Sequence, residues 1–164
     1  MGKSIEHLKE AFAGESQANR KYLAFAEKAD REGYPQVARL FRAAAEAETI
    51  HALNHLKALK AVGATADNLK EAISGETHEF TNMYPQMIAD ARAEGHNEAE
   101  RTFNFANEVE KIHAQLFQKA LETMAEKKLV AMFVCSVCGY TAEGEAPDTC
   151  PVCKALKKMF KPVE

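Results

Sequence analysis

Apolar residues recur at helical spacing from about residue 4 to residue 127, as in Phe12, Leu23, Phe25, Leu40 and Phe41, with polar residues between them. One apolar stripe per helix is what a bundle buries. Local punctuation divides the stretch into four long helices. Ser4 is positioned to cap the first, which runs to about Glu32 before Gly33. Pro35 suits the first turn of the second, which ends at Gly63. Asp67 or Asn68 opens a third, closed by Gly95, and Asn97 followed by Glu100 resembles a capping box for the fourth. Past AEKKLVAMFVC the helical pattern stops, and the rest is rich in Gly, Pro and Cys. The expected organisation is a mainly α protein: a helical bundle over residues 1–128, then a small metal-binding domain of strands and loops over 129–164. The second part is too small to rest on an apolar core alone and needs its metal to fold.

The third and fourth helices echo the first and second. Gly14-Glu15 corresponds to Gly75-Glu76 at an offset of 61 residues, and Glu32-Gly33 to Glu94-Gly95 at 62. Glu48, His51 and Ala52 correspond to Glu110, His113 and Ala114, again at 62. Two amphipathic hairpins share a period by chance, but not Glu and His at matching places, so the pattern indicates a duplicated unit.

That repeat carries the chemistry. A lone Glu on a helix is ordinarily a solvated side chain. Here the set is Glu15, then Glu48-x-x-His51, then Glu76, then Glu110-x-x-His113. Residues three apart share a helix face, so each pair offers a carboxylate and an imidazole to one interior point. Two such pairs with two further carboxylates form the ligand set of a di-iron or di-manganese bundle. Clustered carboxylates would repel in a core, and two divalent cations remove that cost. Glu79 breaks the repeat: its counterpart is Ala18, yet it lies one turn beyond Glu76 and is placed as a seventh ligand. Tyr22, two turns after Glu15, faces the same way, and Tyr84 is its mate at an offset of 62. The change from 61 to 62 between Glu76 and Tyr84 puts one extra residue inside the third helix, which a π-bulge would absorb. His7, His55, His78 and His96 match no ligand position and are read as surface or supporting residues, with His55 in reserve.

The four cysteines form two CxxC pairs, Cys135/Cys138 and Cys150/Cys153, joined by eleven residues. Two such knuckles present four thiolates tetrahedrally, which suits a mononuclear iron or a structural zinc better than disulfides. Phe133, Tyr140 and Phe160 are the candidate core around them.

Composition narrows the class further. Hydrophobic residues make up 46% and charged residues 27%, a globular balance, and a formal net charge of −3 gives no reason to expect nucleic acid or an anionic membrane as partner. No run approaches the ~20 apolar residues of a membrane span, and MGKSIEHLKEAF is too polar for a signal peptide, so a cytoplasmic protein is expected.

GES…RKYL, EAETIHA, GETHEFTNMYP and EVEKIHAQ, followed by CGYTAEGEAPDTCPVC, resemble the rubrerythrin family along essentially the whole chain. The resemblance implies a ferritin-like di-iron bundle with a rubredoxin-like domain whose four cysteines hold one iron. It implies Glu15, Glu48, His51, Glu76, Glu79, Glu110 and His113 as ligands of two iron ions. It implies that one iron shifts between Glu79 and His51 with redox state, and that Tyr22 and Tyr84 hydrogen-bond ligand carboxylates. It also moves the metal of the four cysteines from an open choice to iron, with zinc possible in a recombinant preparation. Two residues depart from the family: Ser136 stands where proline usually follows the first cysteine, and Lys154 where glycine usually follows the fourth. A positive φ is therefore expected to strain Lys154. The activity implied is reduction of hydrogen peroxide to water, with electrons arriving through the cysteine-held iron from an NAD(P)H-linked reductase or a rubredoxin. Ferroxidation by the bundle and a zinc-held docking module are the competing readings.

Ferritin-like bundles run their second and third helices parallel, which requires a return of roughly 30 Å at ~1.5 Å per residue. Residues 63–67 span at most ~18 Å. A homodimer that exchanges helix pairs between chains is therefore expected, as short-linker members of the family are known to do.

Overall fold

The helices are long because their sequences hold Ala, Leu, Glu, Lys, Gln and Arg with few interruptions, and they stop where the backbone is turned out of the helical well. The computed structural model describes residues 2–164 and contains α1 (Lys3–Arg31), α2 (Pro35–Ala58), α3 (Thr65–His78), α4 (Tyr84–Ala93) and α5 (Asn97–Thr123). A π-helical turn, Glu79–Met83, joins α3 to α4, so the third helix of the sequence pattern is continuous but carries the extra residue expected from the shift in repeat offset. Three short strands follow: β1 (Met132–Cys135), β2 (Thr141–Glu143) and β3 (Phe160–Val163). They form an antiparallel sheet in the order β2-β1-β3, with Phe133 opposite both Ala142 and Pro162. The chain divides into two compact units, one ending at Gly63 and the other spanning Ala64–Glu164.

The first unit is the α1–α2 hairpin. Its core is small: Ala26, Ala29 and Ala38 are buried with Phe41 against them, and side chains this short let the two helices approach closely. Asn19, also buried, donates from Nδ2 to the Ala45 carbonyl at 2.7 Å and to Thr49 Oγ1 at 2.8 Å, tying α1 to α2 one turn beyond Glu15. The second unit holds the hairpin of α3 and α4 with α5, and the sheet that carries the cysteines.

The helix ends explain where the sequence reading was displaced. At the α1 and α4 ends, Gly33 (φ +81°) and Gly95 (φ +70°) take the left-handed conformation. The next amides close the turn, Tyr34 on the Ala29 carbonyl and His96 on the Ala91 carbonyl. The end of α2 is not Gly63. Lys60 adopts φ +53° and the Ala61 amide reaches back to the Leu56 carbonyl, so the same motif ends the helix at Ala58 without a glycine. Nor does Ser4 cap α1, because Gly2 occupies that place and Ser4 lies inside the helix. The third helix begins ahead of Asp67 and Asn68, whose amides both bond the Ala64 carbonyl. At α5 the cap is His96: its Nδ1 accepts from the Ala99 amide at 3.3 Å, Asn97 is the first helical residue, and Glu100 pairs with Arg92 instead of closing a capping box.

Candidate metal centres

Each unit gathers three ligand-type side chains at one point. In the first, Glu15 on α1 meets Glu48 and His51 on α2; in the second, Glu76 on α3 meets Glu110 and His113 on α5. Within each trio the ligand atoms lie within 4.8 Å of one another. The three-residue spacing works in both: His51 Nδ1 is 2.9 Å from Glu48 Oε2, and His113 Nδ1 is 2.7 Å from Glu110 Oε2.

The second trio defines its own protonation. His113 Nε2 is 3.0 Å from Thr141 Oγ1, and the Thr141 hydroxyl donates its single proton to the Gly139 carbonyl at 3.2 Å. The imidazole therefore meets the cysteine domain through Nε2 and turns Nδ1 toward Glu110 and, at 3.8 Å, toward Glu76. Two carboxylates and a ring nitrogen facing one point suit a cation among them. Glu76 is pushed up to about 7, first by burial, then by its hydrogen bond to Glu110 and by the charges of Glu110 and Glu79. The donor set is rich in oxygen with one nitrogen per trio, which suits iron or manganese.

Glu79 opens the π-turn and stands outside the trio, yet its charge bears on both Glu76 and Tyr84. The Tyr84 phenol is raised by burial and by Glu79, Glu110 and Glu76, so it sits in the electrostatic field of the acids. Tyr22, its repeat mate, packs on Phe41. His7 is solvent-exposed beside Glu10, and His96 serves as a cap, a role that its residue type did not announce.

The four cysteines form a cage in the second unit. Cys135 and Cys153 Sγ are 3.6 Å apart, as are Cys138 and Cys150, and all four sulfurs lie within 4.8 Å of one another. A tetrahedron with ~2.3 Å metal–sulfur bonds has an edge of about 3.8 Å, so the cage fits a single ion. Burial raises the Cys138 and Cys153 thiols; at Cys135 burial acts the same way, but amides of Val137 and Cys138 outweigh it and lower the thiol. Such a set ionises together only around a cation. The expected core is present: Phe160 is buried, with Phe133 and Tyr140 packed on its cluster, and Tyr140 meets Phe160 edge-on. Lys154 has φ +64°, the conformation expected of a residue standing in glycine's place, and its Nζ donates to the Pro151 carbonyl at 2.8 Å. The Ser136 amide donates to the Met159 carbonyl, a bond that proline could not make.

Comparison with known proteins points the same way. Residues 6–121 match the sequence model of rubrerythrin, and residues 133–161 match that of the rubrerythrin rubredoxin-like domain. Rubrerythrin-2 of Clostridium acetobutylicum is 41% identical, with 96% of this chain and 95% of that one covered. Nigerythrin of Nitratidesulfovibrio vulgaris is 36% identical, covering 98% of this chain and 86% of its own. Among solved structures, partially reduced nigerythrin superposes with a TM-score of 0.61 at 33% identity, covering 99% of this chain and 88% of that one. The fully reduced, all-ferrous nigerythrin gives 0.59 at 34%, with the same coverage. The fold is therefore mainly α and ferritin-like with a rubredoxin-like appendage, and the ligand sets for two iron ions in the helices and one among the cysteines are both present. Among the described residues, no helix is long and apolar enough to cross a membrane.

Proposed function

Because this chain belongs to the rubrerythrin family, we propose that it is a peroxidase that reduces hydrogen peroxide to water in defence against oxidative stress. The observation that carries the reading is the presence in one chain of two Glu/Glu/His trios and a four-cysteine cage. The two trios would hold iron ions, which would supply two-electron reducing chemistry for the O–O bond, and the four cysteines would hold a third that supplies one-electron relay chemistry. Glu15, Glu48, His51, Glu76, Glu79, Glu110 and His113 are the bundle ligands in this reading, and Cys135, Cys138, Cys150 and Cys153 hold the third iron.

The side chains divide the remaining work. Glu79 delivers protons toward the departing oxygen, since its carboxylate stands beside the field of Glu76 and Tyr84 without belonging to the trio. His51 and Glu79 would be the two residues between which a bound iron exchanges as its redox state changes. The two imidazoles differ in a way that supports this: His113 is tied at Nε2 to Thr141, whereas among the described residues His51 is bonded only at Nδ1, to Glu48. Tyr22 and Tyr84 steady ligand carboxylates through their hydroxyls. The cysteine cage has no spare position, so it passes electrons and cannot bind peroxide. An NAD(P)H-linked reductase or a rubredoxin fills it. Two CxxC pairs that serve as metal ligands and not as disulfides suit a reducing compartment, which favours the cytoplasm.

The assembly in this reading is a homodimer with exchanged helix pairs. A ferritin-like return from His51 to the end of α2, and from the start of α3 to Glu76, covers about 27 Å at ~1.5 Å per residue. Amides of Leu59, Lys60 and Ala61 bond back into α2, so the stretch available to make that return is residues 62–64, about 11 Å. Large apolar side chains of the first hairpin, Leu40 at 67% and Ile50 at 53% exposure among them, provide the surface that a partner chain would cover.

Replacing Cys135 and Cys138 with serine tests the function. Reductase-driven peroxide turnover should collapse, whereas oxidation of ferrous iron by oxygen should persist. Peroxide turnover that survives would remove the cysteine-held iron from the reaction, and an unaltered protein that oxidises ferrous iron with oxygen but turns over no peroxide would replace the peroxidase reading with ferroxidation.

A further inference from the structure

The duplication makes His51 and His113 equivalent in sequence, but the second unit treats His113 differently. Its Nε2 meets the hydroxyl of Thr141, a residue of β2 in the cysteine domain, and that hydroxyl is bonded onward to Gly139, the residue that follows Cys138. Two other contacts hold the domain to α5 at this point. Lys119 pairs with Glu143 at the other end of β2, and Gly139 stands so near α5 that a Cβ there would lie 3.8 Å from Val109 Cγ1. Val109, one residue before the ligand Glu110, is 2% exposed.

We propose that Thr141 is a positioning residue that holds His113 by its Nε2, with Nδ1 turned to the metal position, and latches the cysteine domain onto the trio of its own unit. The proposal rests on the peroxidase reading for its purpose, because it puts the Cys138 knuckle one hydrogen-bonded residue away from a bundle ligand. Its physical basis is independent of that reading. A histidine ligand binds well when its distal N–H has an acceptor that fixes the ring and tautomer, and loss of the acceptor costs ~10–100-fold in metal affinity. His51 meets its carboxylate neighbour Glu48 through Nδ1 and has no counterpart of β2 in its own unit, so the latch makes one imidazole fixed and leaves the other to move.

The test uses the full chain with iron among the four cysteines. In the bundle loaded with zinc, ¹⁵N shifts should report His113 protonated at Nε2 and metal-bound at Nδ1. Cobalt(II) titration, followed by its visible absorption, should show one bundle position weakened ~10–100-fold in Thr141→Val and restored to within about threefold in Thr141→Ser. His113 metal-bound through Nε2 in the zinc-loaded unaltered protein would overturn the proposal, whether or not the valine variant folds. So would unchanged cobalt affinity in Thr141→Val, or equal weakening in both variants, which would mean packing and not the hydroxyl. Retention of the ferric thiolate absorption establishes that the variants keep the small domain. None of these readouts involves peroxide, so failure of the peroxidase reading and failure of the latch are separate outcomes.

Discussion

The ring of Tyr84 lies 6.3 Å from that of Phe103, tilted by 40°. Tyr22 and Phe41 repeat the pair 62 residues earlier, at 6.1 Å and 34°. Each pair joins the helix carrying a lone Glu of the trio to the helix carrying its Glu-x-x-His. Each therefore braces the geometry of its own unit, and the two should matter about equally. Phe41→Ala and Phe103→Ala are each expected to destabilise the metal-free protein by about 2 kcal/mol, less than a fully buried Phe→Ala because these rings are partly exposed. Denaturant unfolding measures both, and a negligible loss for either would mean that the pair does not brace its hairpin.

The extra residue in Glu79–Met83 lets Glu76 and Tyr84 face the same point despite a repeat offset that changes between them. Deleting Thr81 should restore a regular helix and turn Glu76 by ~100° relative to Tyr84 and the chain beyond it. The deletion should abolish iron binding at the Glu76 trio while sparing the cysteine-held iron. Metal analysis of the purified variant measures this, and full bundle loading would mean that the π-turn is dispensable.

In the cysteine domain the two departures from the family pull in opposite directions. Lys154→Gly removes a left-handed Cβ strain of ~1–2 kcal/mol. Set against glycine's greater chain entropy and the lost Nζ bond to Pro151, a net gain of about 0.5 kcal/mol is expected. Ser136→Pro removes the amide bond to Met159 and should cost about 1 kcal/mol. Rates of iron release to a chelator should follow the same order, slower for glycine and faster for proline.

In the proposed dimer, the exchange of helix pairs follows from the short linker. Inserting about 20 Gly/Ser residues after Val62 provides a flexible span of roughly 25 Å, with a stretched reach well beyond it. Light scattering should then detect iron-loaded monomer where the unaltered protein is dimeric. An unaltered protein that is monomeric with both bundle irons would contradict the exchange.

Much of this was legible in the sequence because it depends on spacing within one helix. Glu48/His51 and Glu110/His113 are brought together by helical periodicity, and the π-turn announced itself as one residue too many between Glu76 and Tyr84. The cysteine cage was legible because two CxxC knuckles leave little choice of geometry. What was missed depends on residues in roles that their type does not advertise. Lys60 adopts a conformation usually assigned to glycine, so α2 ended before Gly63. His96 caps α5 with a ring nitrogen beside an Asn that looked better suited. The Thr141–His113 bond was invisible for a different reason: it spans 28 residues and two kinds of structure, and no local pattern encodes it.

The most direct test of the central claim is an anaerobic titration of the iron-loaded, fully reduced protein with hydrogen peroxide, followed by the visible absorption of the ferric thiolate centre. Prompt appearance of that colour, much faster than with oxygen and in step with peroxide consumed, is the predicted result, and it would establish the peroxidase and its relay together. Absence of the colour, or preferential reaction with oxygen accompanied by release of iron, would contradict it.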